Sequence, residues 1–114
     1  MGEALQFPKF PKPAVKVLLW EGPGRPAEDS IRERLAAEGY GVVKWRIEPA
    51  TGYPPHAHIY PETMWVVEGS LTVVLPADAR LIELLPGDRI EMPQGLLHGI
   101  MAGADGAAYL LATK

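Results

Sequence analysis

Glycine and proline recur along this chain at intervals that leave little room for long helices. The 114 residues include twelve of each, and short apolar segments lie between them. Clusters of glycine and proline mark tight turns, and short strands at close spacing are typical of a β-sandwich or β-barrel. We therefore predict an all-β protein with about eight to ten strands.

One segment departs from this pattern and predicts a single short helix near the N-terminus, over residues 27–38. Ile31 and Leu35 are four residues apart, and Gly39 suits the C-terminal cap. The helix should lie outside the barrel with its charges in solvent. The chain has the length of one domain. We assign residues 1–13 to an extended, proline-rich arm and residues 14–114 to one β-barrel domain.

Alternation in the segment 42–48 predicts a strand with one apolar face, formed by Val43, Trp45 and Ile47. This face should point to the core, where Trp45 either packs or contacts a bound ligand. The glycine-containing segments interpreted as turns include Thr51–Pro55, Glu68–Gly69 and Gly103–Gly106.

All three histidines of the chain lie in two short segments that together suggest a metal site. His56 and His58 are two residues apart, so an extended strand places both rings on one side. A proline at position 61 breaks that strand, and a bend there can return Glu62 towards the rings. His98 would join them from a strand that is distant in sequence. Imidazole and carboxylate ligands suit Fe, Mn, Co, Ni or Zn, although two such histidines also occur by chance on strands.

The same segments resemble the two motifs of the cupin superfamily. The first motif has glycine, a short spacer, His-x-His, three or four residues, glutamate, six residues and glycine, which matches Gly52 to Gly69. The second has glycine, five residues, Pro-x-Gly, two residues and histidine, which matches Gly87 to His98. The spacer after Gly52 is shorter than usual, and Ala102 stands where the family's second motif closes with an asparagine, after three residues that follow the histidine. Neither position is a ligand position in the family.

The resemblance implies a jelly-roll barrel, also called a double-stranded β-helix, that holds one divalent transition metal (Fe, Mn, Ni or Zn). It implies as ligands His56, His58, Glu62 and His98. The family includes dioxygenases, isomerases, decarboxylases and lyases, as well as sugar-binding and storage proteins, so the fold does not determine the activity. Small cupins often form dimers, and we expect a homodimer here. The arm could bury Phe7 and Phe10 on a neighbouring subunit, or it could be a loose tail.

Composition narrows the choice of partners and location. Eleven basic against fourteen acidic residues give a net charge of −3, which argues against nucleic acid as the main partner. Cysteine is absent, so thiol chemistry is excluded. The sequence has no apolar run long enough for a membrane span and no signal-peptide pattern. We therefore expect a cytoplasmic protein without membrane partners.

The predicted pocket is apolar and suits a small oxygen-containing molecule. Its expected lining is Trp45, Met64, Val66, Leu96 and Ile100. Acid–base chemistry needs a further titratable group, and Tyr60 is the candidate we name, with Tyr53 and Glu91 nearby. We favour a metal-dependent enzyme, an oxidoreductase or isomerase of dioxygenase, isomerase or lyase type. The alternatives are a non-catalytic binding or sensing protein and, with less support, a scaffold in which the metal serves only folding.

Overall fold

The computed structural model describes residues 15–114, which form seven strands and one α-helix. In chain order these are β1 (Lys16–Leu18), α1 (Glu28–Ala37), β2 (Gly41–Ile47), β3 (Gly52–His56), β4 (Glu62–Leu75), β5 (Arg80–Leu84), β6 (Arg89–Met92) and β7 (His98–Thr113). All strand pairs are antiparallel, in the order β1-β6-β4-β7-β2, with β5 beside β4 and β3 beside β7. The all-β class is confirmed, whereas the predicted arm lies outside the described residues.

Two long strands, β4 and β7, give the sheet its curvature. Early residues of β4 pair with β6 and later ones with β5, while β7 pairs first with β3 and then with β2. Between the halves the β4–β7 register shifts on both sides of Gly69, whose φ is +70°. A Cβ at Gly69 would lie 2.0 Å from the carbonyl oxygen of Gly106. Only glycine fits this β-bulge, which bends the sheet around its core.

The predicted corner at Glu68–Gly69 and the predicted turn at Gly103–Gly106 are therefore wrong. Each segment lies within a continuous, bent strand. Glycine marks a bulge as readily as a turn, and the sequence does not distinguish the two. Joining these segments explains why residues 15–114 contain seven strands rather than eight to ten.

The predicted helix is confirmed and covers the outer face of the sheet. Ile31 and Leu35 are buried against a cluster that includes Trp65 and Leu110. Gly39, with a φ of +89°, follows the helix where a left-handed residue is expected. Within residues 15–114, no helix is long and apolar enough to cross a membrane.

A larger apolar cluster fills the interior of the curved sheet, and its fully buried side chains include Val66, Leu71, Val73, Leu84 and Ile90. The prediction that one face of β2 enters this core is correct for Ile47 but wrong for Val43 and Trp45, which are 57% and 46% exposed. β2 is an edge strand, and beside Trp45 its inner face borders an open cavity instead of packed side chains.

The predicted turn at Thr51–Pro55 is also wrong, because Gly52–His56 forms β3. Within the described residues, β3 pairs with β7 alone, so Pro54 and Pro55 lie on an edge strand. An edge strand tolerates residues that cannot donate to a neighbour.

Candidate metal centre

Three strand ends and one connecting segment bring the four predicted ligands together. His56 ends β3 and lies opposite His98, which begins β7. Glu62 begins β4, and His58 lies in the irregular segment between β3 and β4. His58 therefore reaches the site from a loop, although the sequence placed it on the same strand as His56.

The ligand atoms are close enough to share one ion. One ring nitrogen from each of His56, His58 and His98 lies within 4.8 Å of the other two. A carboxylate oxygen of Glu62 (Oε1) is 3.2 Å from Nε2 of His58 and 3.3 Å from Nε2 of His98. Ligands bound about 2.1 Å from one ion are separated by about 3.0–3.4 Å in octahedral or tetrahedral geometry. The carboxylate spacings fall within this range.

Backbone carbonyls orient two of the rings. Nδ1 of His98 lies 2.9 Å from the carbonyl oxygen of Leu96, and Nδ1 of His56 lies 2.9 Å from that of Pro54. A ring that donates its Nδ1–H to a carbonyl keeps Nε2 free as a ligand, an arrangement common in metal sites. The donor set of imidazoles and one carboxylate fits a divalent transition metal. The three-histidine group could thus bind a metal ion.

Burial and charge act in opposite directions on His98. Its side chain and that of Glu62 are only 5% and 7% exposed. The hydrogen bond to Glu62 raises the pKa of His98, burial opposes that rise, and the carbonyl of Leu96 adds to it. Glu62 thus favours the protonated form of the ring, and a metal bound here would compete with that proton.

A cavity of about 530 Å³ opens directly onto the histidines. Of the residues predicted to line a pocket, Trp45, Met64 and Ile100 border this cavity. Val66 is fully buried in the core and Leu96 packs against that core, so neither borders it. The remaining wall consists of Tyr53, Pro54, Pro55, Tyr60, Tyr109 and Leu111.

The tyrosines of the wall differ in position. Tyr60 stacks on His58, with ring centroids 5.0 Å apart and planes at 20°, and it is 44% exposed. Tyr109, which the sequence analysis did not single out, is only 5% exposed. Burial raises the pKa of Tyr109 to about 12, so its hydroxyl stays protonated at neutral pH. One signal was available in the sequence, because a single tyrosine interrupts the apolar segment 107–112.

Comparison with known proteins identifies the fold. No protein-family model and no curated protein matches the chain. Among solved structures, the polyketide cyclase RemF from Streptomyces resistomycificus is 31% identical, with a TM-score of 0.60. The match covers 65% of this chain and 53% of RemF, so the chain spans about half of the cyclase's length.

Two further structures match over more of the chain. A cupin 2 domain-containing protein from Halorhodospira halophila is 21% identical over 89% of this chain and 75% of its own, with a TM-score of 0.67. A cupin superfamily protein from Desulfitobacterium hafniense is 15% identical over 88% and 76%, with a TM-score of 0.58. At these identities the likeness concerns the fold.

Proposed function

We propose that this chain, a small cupin domain with a jelly-roll fold, binds one divalent transition metal and is a metal-dependent enzyme. The proposed ligands are His56, His58, Glu62 and His98, and the substrate is a small oxygen-containing molecule. One observation carries the proposal: four side chains able to bind a metal meet where an apolar cavity of about 530 Å³ reaches the interior. Such a pocket with a few convergent polar groups is typical of a binding or active site.

The wall residues indicate which molecules fit. Apart from the proposed ligands, the described part of the wall has aromatic, aliphatic and proline side chains, with no lysine or arginine. This composition supports an uncharged molecule, or one whose single negative oxygen faces the ion. It argues against phosphorylated sugars, which need cationic side chains.

A bound divalent ion would supply Lewis-acid chemistry and, if it were iron, redox chemistry with dioxygen. The residues of the chain have other tasks. Glu62 and the three histidines would hold the ion, the carbonyls of Pro54 and Leu96 orient two of the rings, and the apolar wall would shield a bound molecule from water. Tyr60 was the catalytic candidate from the sequence, and its place beside His58 keeps it available for proton transfer.

The likeness to RemF supports catalysis over simple binding. RemF is a polyketide cyclase, and its matched part includes most of the length of this chain. Among the dioxygenase, isomerase and lyase types considered, this favours a reaction that closes a ring in an oxygen-rich molecule.

A second candidate, a binding or sensing protein without turnover, is favoured by a different observation. Within the described wall, every histidine and carboxylate belongs to the proposed ligand set, which leaves only tyrosines for proton transfer. Most enzymes that use acid–base catalysis have a histidine or carboxylate free for that task.

Turnover by the metal-loaded protein separates the two candidates. The protein would be loaded with Fe(II), Mn(II), Ni(II) or Zn(II) and screened against catechols, β-diketones, thiols and linear poly-β-ketones. Oxygen consumption and product formation would be recorded, with His98→Ala as the control. Turnover that this variant loses supports the enzyme. Tight binding without turnover supports the binding protein, and neither result with any metal contradicts both.

The homodimer is also a proposal. Exposed apolar side chains on or beside edge strands, Leu18 (49%), Leu19 (65%) and Val43 (57%), support it. Light scattering after size-exclusion chromatography should give twice the 12.4 kDa chain mass. The full chain should be compared with a variant lacking residues 2–13. A monomeric mass at micromolar concentration would contradict the dimer. Separately, location of the protein in the cytoplasm stays a prediction.

A further inference from the structure

Tyr109 occupies the inner wall of the cavity, in the middle of the sheet. It lies in β7, opposite Trp45 of β2 and Val66 of β4. Directly opposed residues of antiparallel strands share a face, so Tyr109 and Trp45 border the cavity from the same side of the sheet. Tyr109 is 5% exposed, whereas Trp45 is 46% exposed at the rim.

The hydroxyl of Tyr109 makes no hydrogen bond to any residue within 15–114, although other buried polar side chains are paired. Nε1 of Trp65 donates to the carbonyl of Gly87 at 2.8 Å, and His98 is paired through both ring nitrogens. In the same range, Nε of Arg89 is the one polar side-chain atom that is sealed from solvent and unpaired. The Tyr109 oxygen is also unpaired but is not such an atom, so it must be accessible to solvent. It faces the cavity that its side chain lines.

A phenol in this position can serve a bound molecule. A ligand that displaces water from the cavity leaves this hydroxyl without a partner, which is unfavourable, unless the ligand itself supplies an oxygen acceptor. A site built to pair with a particular oxygen also rejects analogues that lack it. The phenol is a hydrogen-bond donor at neutral pH, as any tyrosine is, and burial moves its pKa still further from neutrality.

We infer that the hydroxyl of Tyr109 donates a hydrogen bond to an oxygen of the bound molecule other than the oxygen directed at the histidine cluster. This inference rests on the proposed function and narrows its substrate class. The aromatic side chains of the wall suit a flat molecule. The substrate carries at least two separated oxygens: one for the cluster formed by the proposed ligands and one, such as a carbonyl, for Tyr109. The aromatic side chains of Trp45 and Tyr53 border the cavity, where they can cover the apolar surface of the bound molecule.

A pair of coloured probes tests the assignment on Zn²⁺-loaded protein. Tropolone offers only a chelating pair of oxygens. 2-Hydroxy-1,4-naphthoquinone offers a similar pair and one further carbonyl on the far side of its ring. Tyr109→Phe should weaken naphthoquinone binding by about five- to tenfold, the effect of one hydrogen bond, and change tropolone binding less than about twofold. Affinities would be measured by absorbance titration.

Three comparisons make the result decisive. Tyr40→Phe removes a hydroxyl on the outer face, which accepts a hydrogen bond from Thr63 at 3.3 Å, and should change neither probe. Tyr60→Phe removes the other candidate hydroxyl and should affect the naphthoquinone less than Tyr109→Phe does. Zn²⁺ content should stay the same in all of these variants.

Failure of the inference differs from failure of the proposed function. If Tyr109→Phe binds Zn²⁺ and both probes as the wild type does, the role of Tyr109 is overturned while the metal site stands. An equal loss for both probes, or a larger loss from Tyr60→Phe, also overturns it. If the wild-type protein takes up no Zn²⁺, the proposed function fails and the role of Tyr109 falls with it.

Discussion

Replacing Trp45 by alanine should weaken binding in the cavity about tenfold. Trp45 is 46% exposed and borders the cavity, so a bound molecule can cover ring surface that is now open to water. A tryptophan can bury up to about 250 Å², which leaves about 115 Å² available at this position. At about 25 cal/mol per Å², full coverage would contribute about 3 kcal/mol. A flat ligand covers only one ring face, which is about half of this surface. Its contact with Trp45 then contributes about 1.4 kcal/mol, which corresponds to about tenfold in affinity.

Trp20 offers a matched control for this experiment. It is 38% exposed and borders a different surface region, near Gly87 and Arg89. Trp20→Ala and Trp45→Ala each remove a half-buried indole, so each should destabilise the protein by about 3–4 kcal/mol. Only Trp45→Ala should weaken binding of 2-hydroxy-1,4-naphthoquinone to Zn²⁺-loaded protein, measured by absorbance titration. Unchanged affinity in Trp45→Ala, or an equal loss in Trp20→Ala, would refute the assignment of the cavity as the binding site.

Three further predictions concern the bulge, the outer ion pair and the carboxylate ligand. Gly69→Ala should lower the free energy of unfolding in urea by more than Gly24→Ala, whose cost is about 1–2 kcal/mol for a left-handed residue in open space; equal losses would argue against a tight bulge. Arg89 holds the pKa of Glu38 below its ordinary 4.5, so this pair stabilises the fold above about pH 4.5 and the effect is lost as pH falls through the lowered pKa. As the pH falls below about 4.5, the free energy of unfolding should therefore decrease more in the wild type than in Arg89→Met. A difference between the two proteins that does not change with pH would argue against a stabilising role of this ion pair. Glu62→Gln should weaken Zn²⁺ binding at least about tenfold by calorimetry, since replacing even a residue that only supports a ligand typically costs 10–100-fold; unchanged affinity would remove Glu62 from the ligand set.

The sequence predicted which side chains lie close together better than it predicted the strands that carry them. His56, His58 and His98 meet because their motifs lie at strand ends that the fold brings together. The expectation that His56 and His58 share one strand was incorrect, since β3 ends at His56. Several backbone paths can bring the same side chains together, so their spacing does not determine a strand boundary.

The remaining differences have a common physical origin in tertiary structure. Gly69 looks like a turn in isolation, and only pairing with β7 makes it a bulge. The face of Val43 and Trp45 looks like core by its alternation, but alternation identifies an apolar face without saying what covers it. Tyr109 belongs to an apolar strand, and only pairing with β2 and β4 places it in the wall of the cavity that the histidines also line.

Metal content of histidine variants tests the central claim most directly. Wild-type protein purified without chelators, then dialysed against Zn²⁺ and freed of excess ion, should hold one equivalent by plasma mass spectrometry. His58→Ala and His98→Ala should each hold well under half an equivalent. Glu91→Ala should keep the full amount, because Glu91 contacts Arg89 on the outer face of the sheet. Full occupancy in either histidine variant would contradict the proposed ligand set.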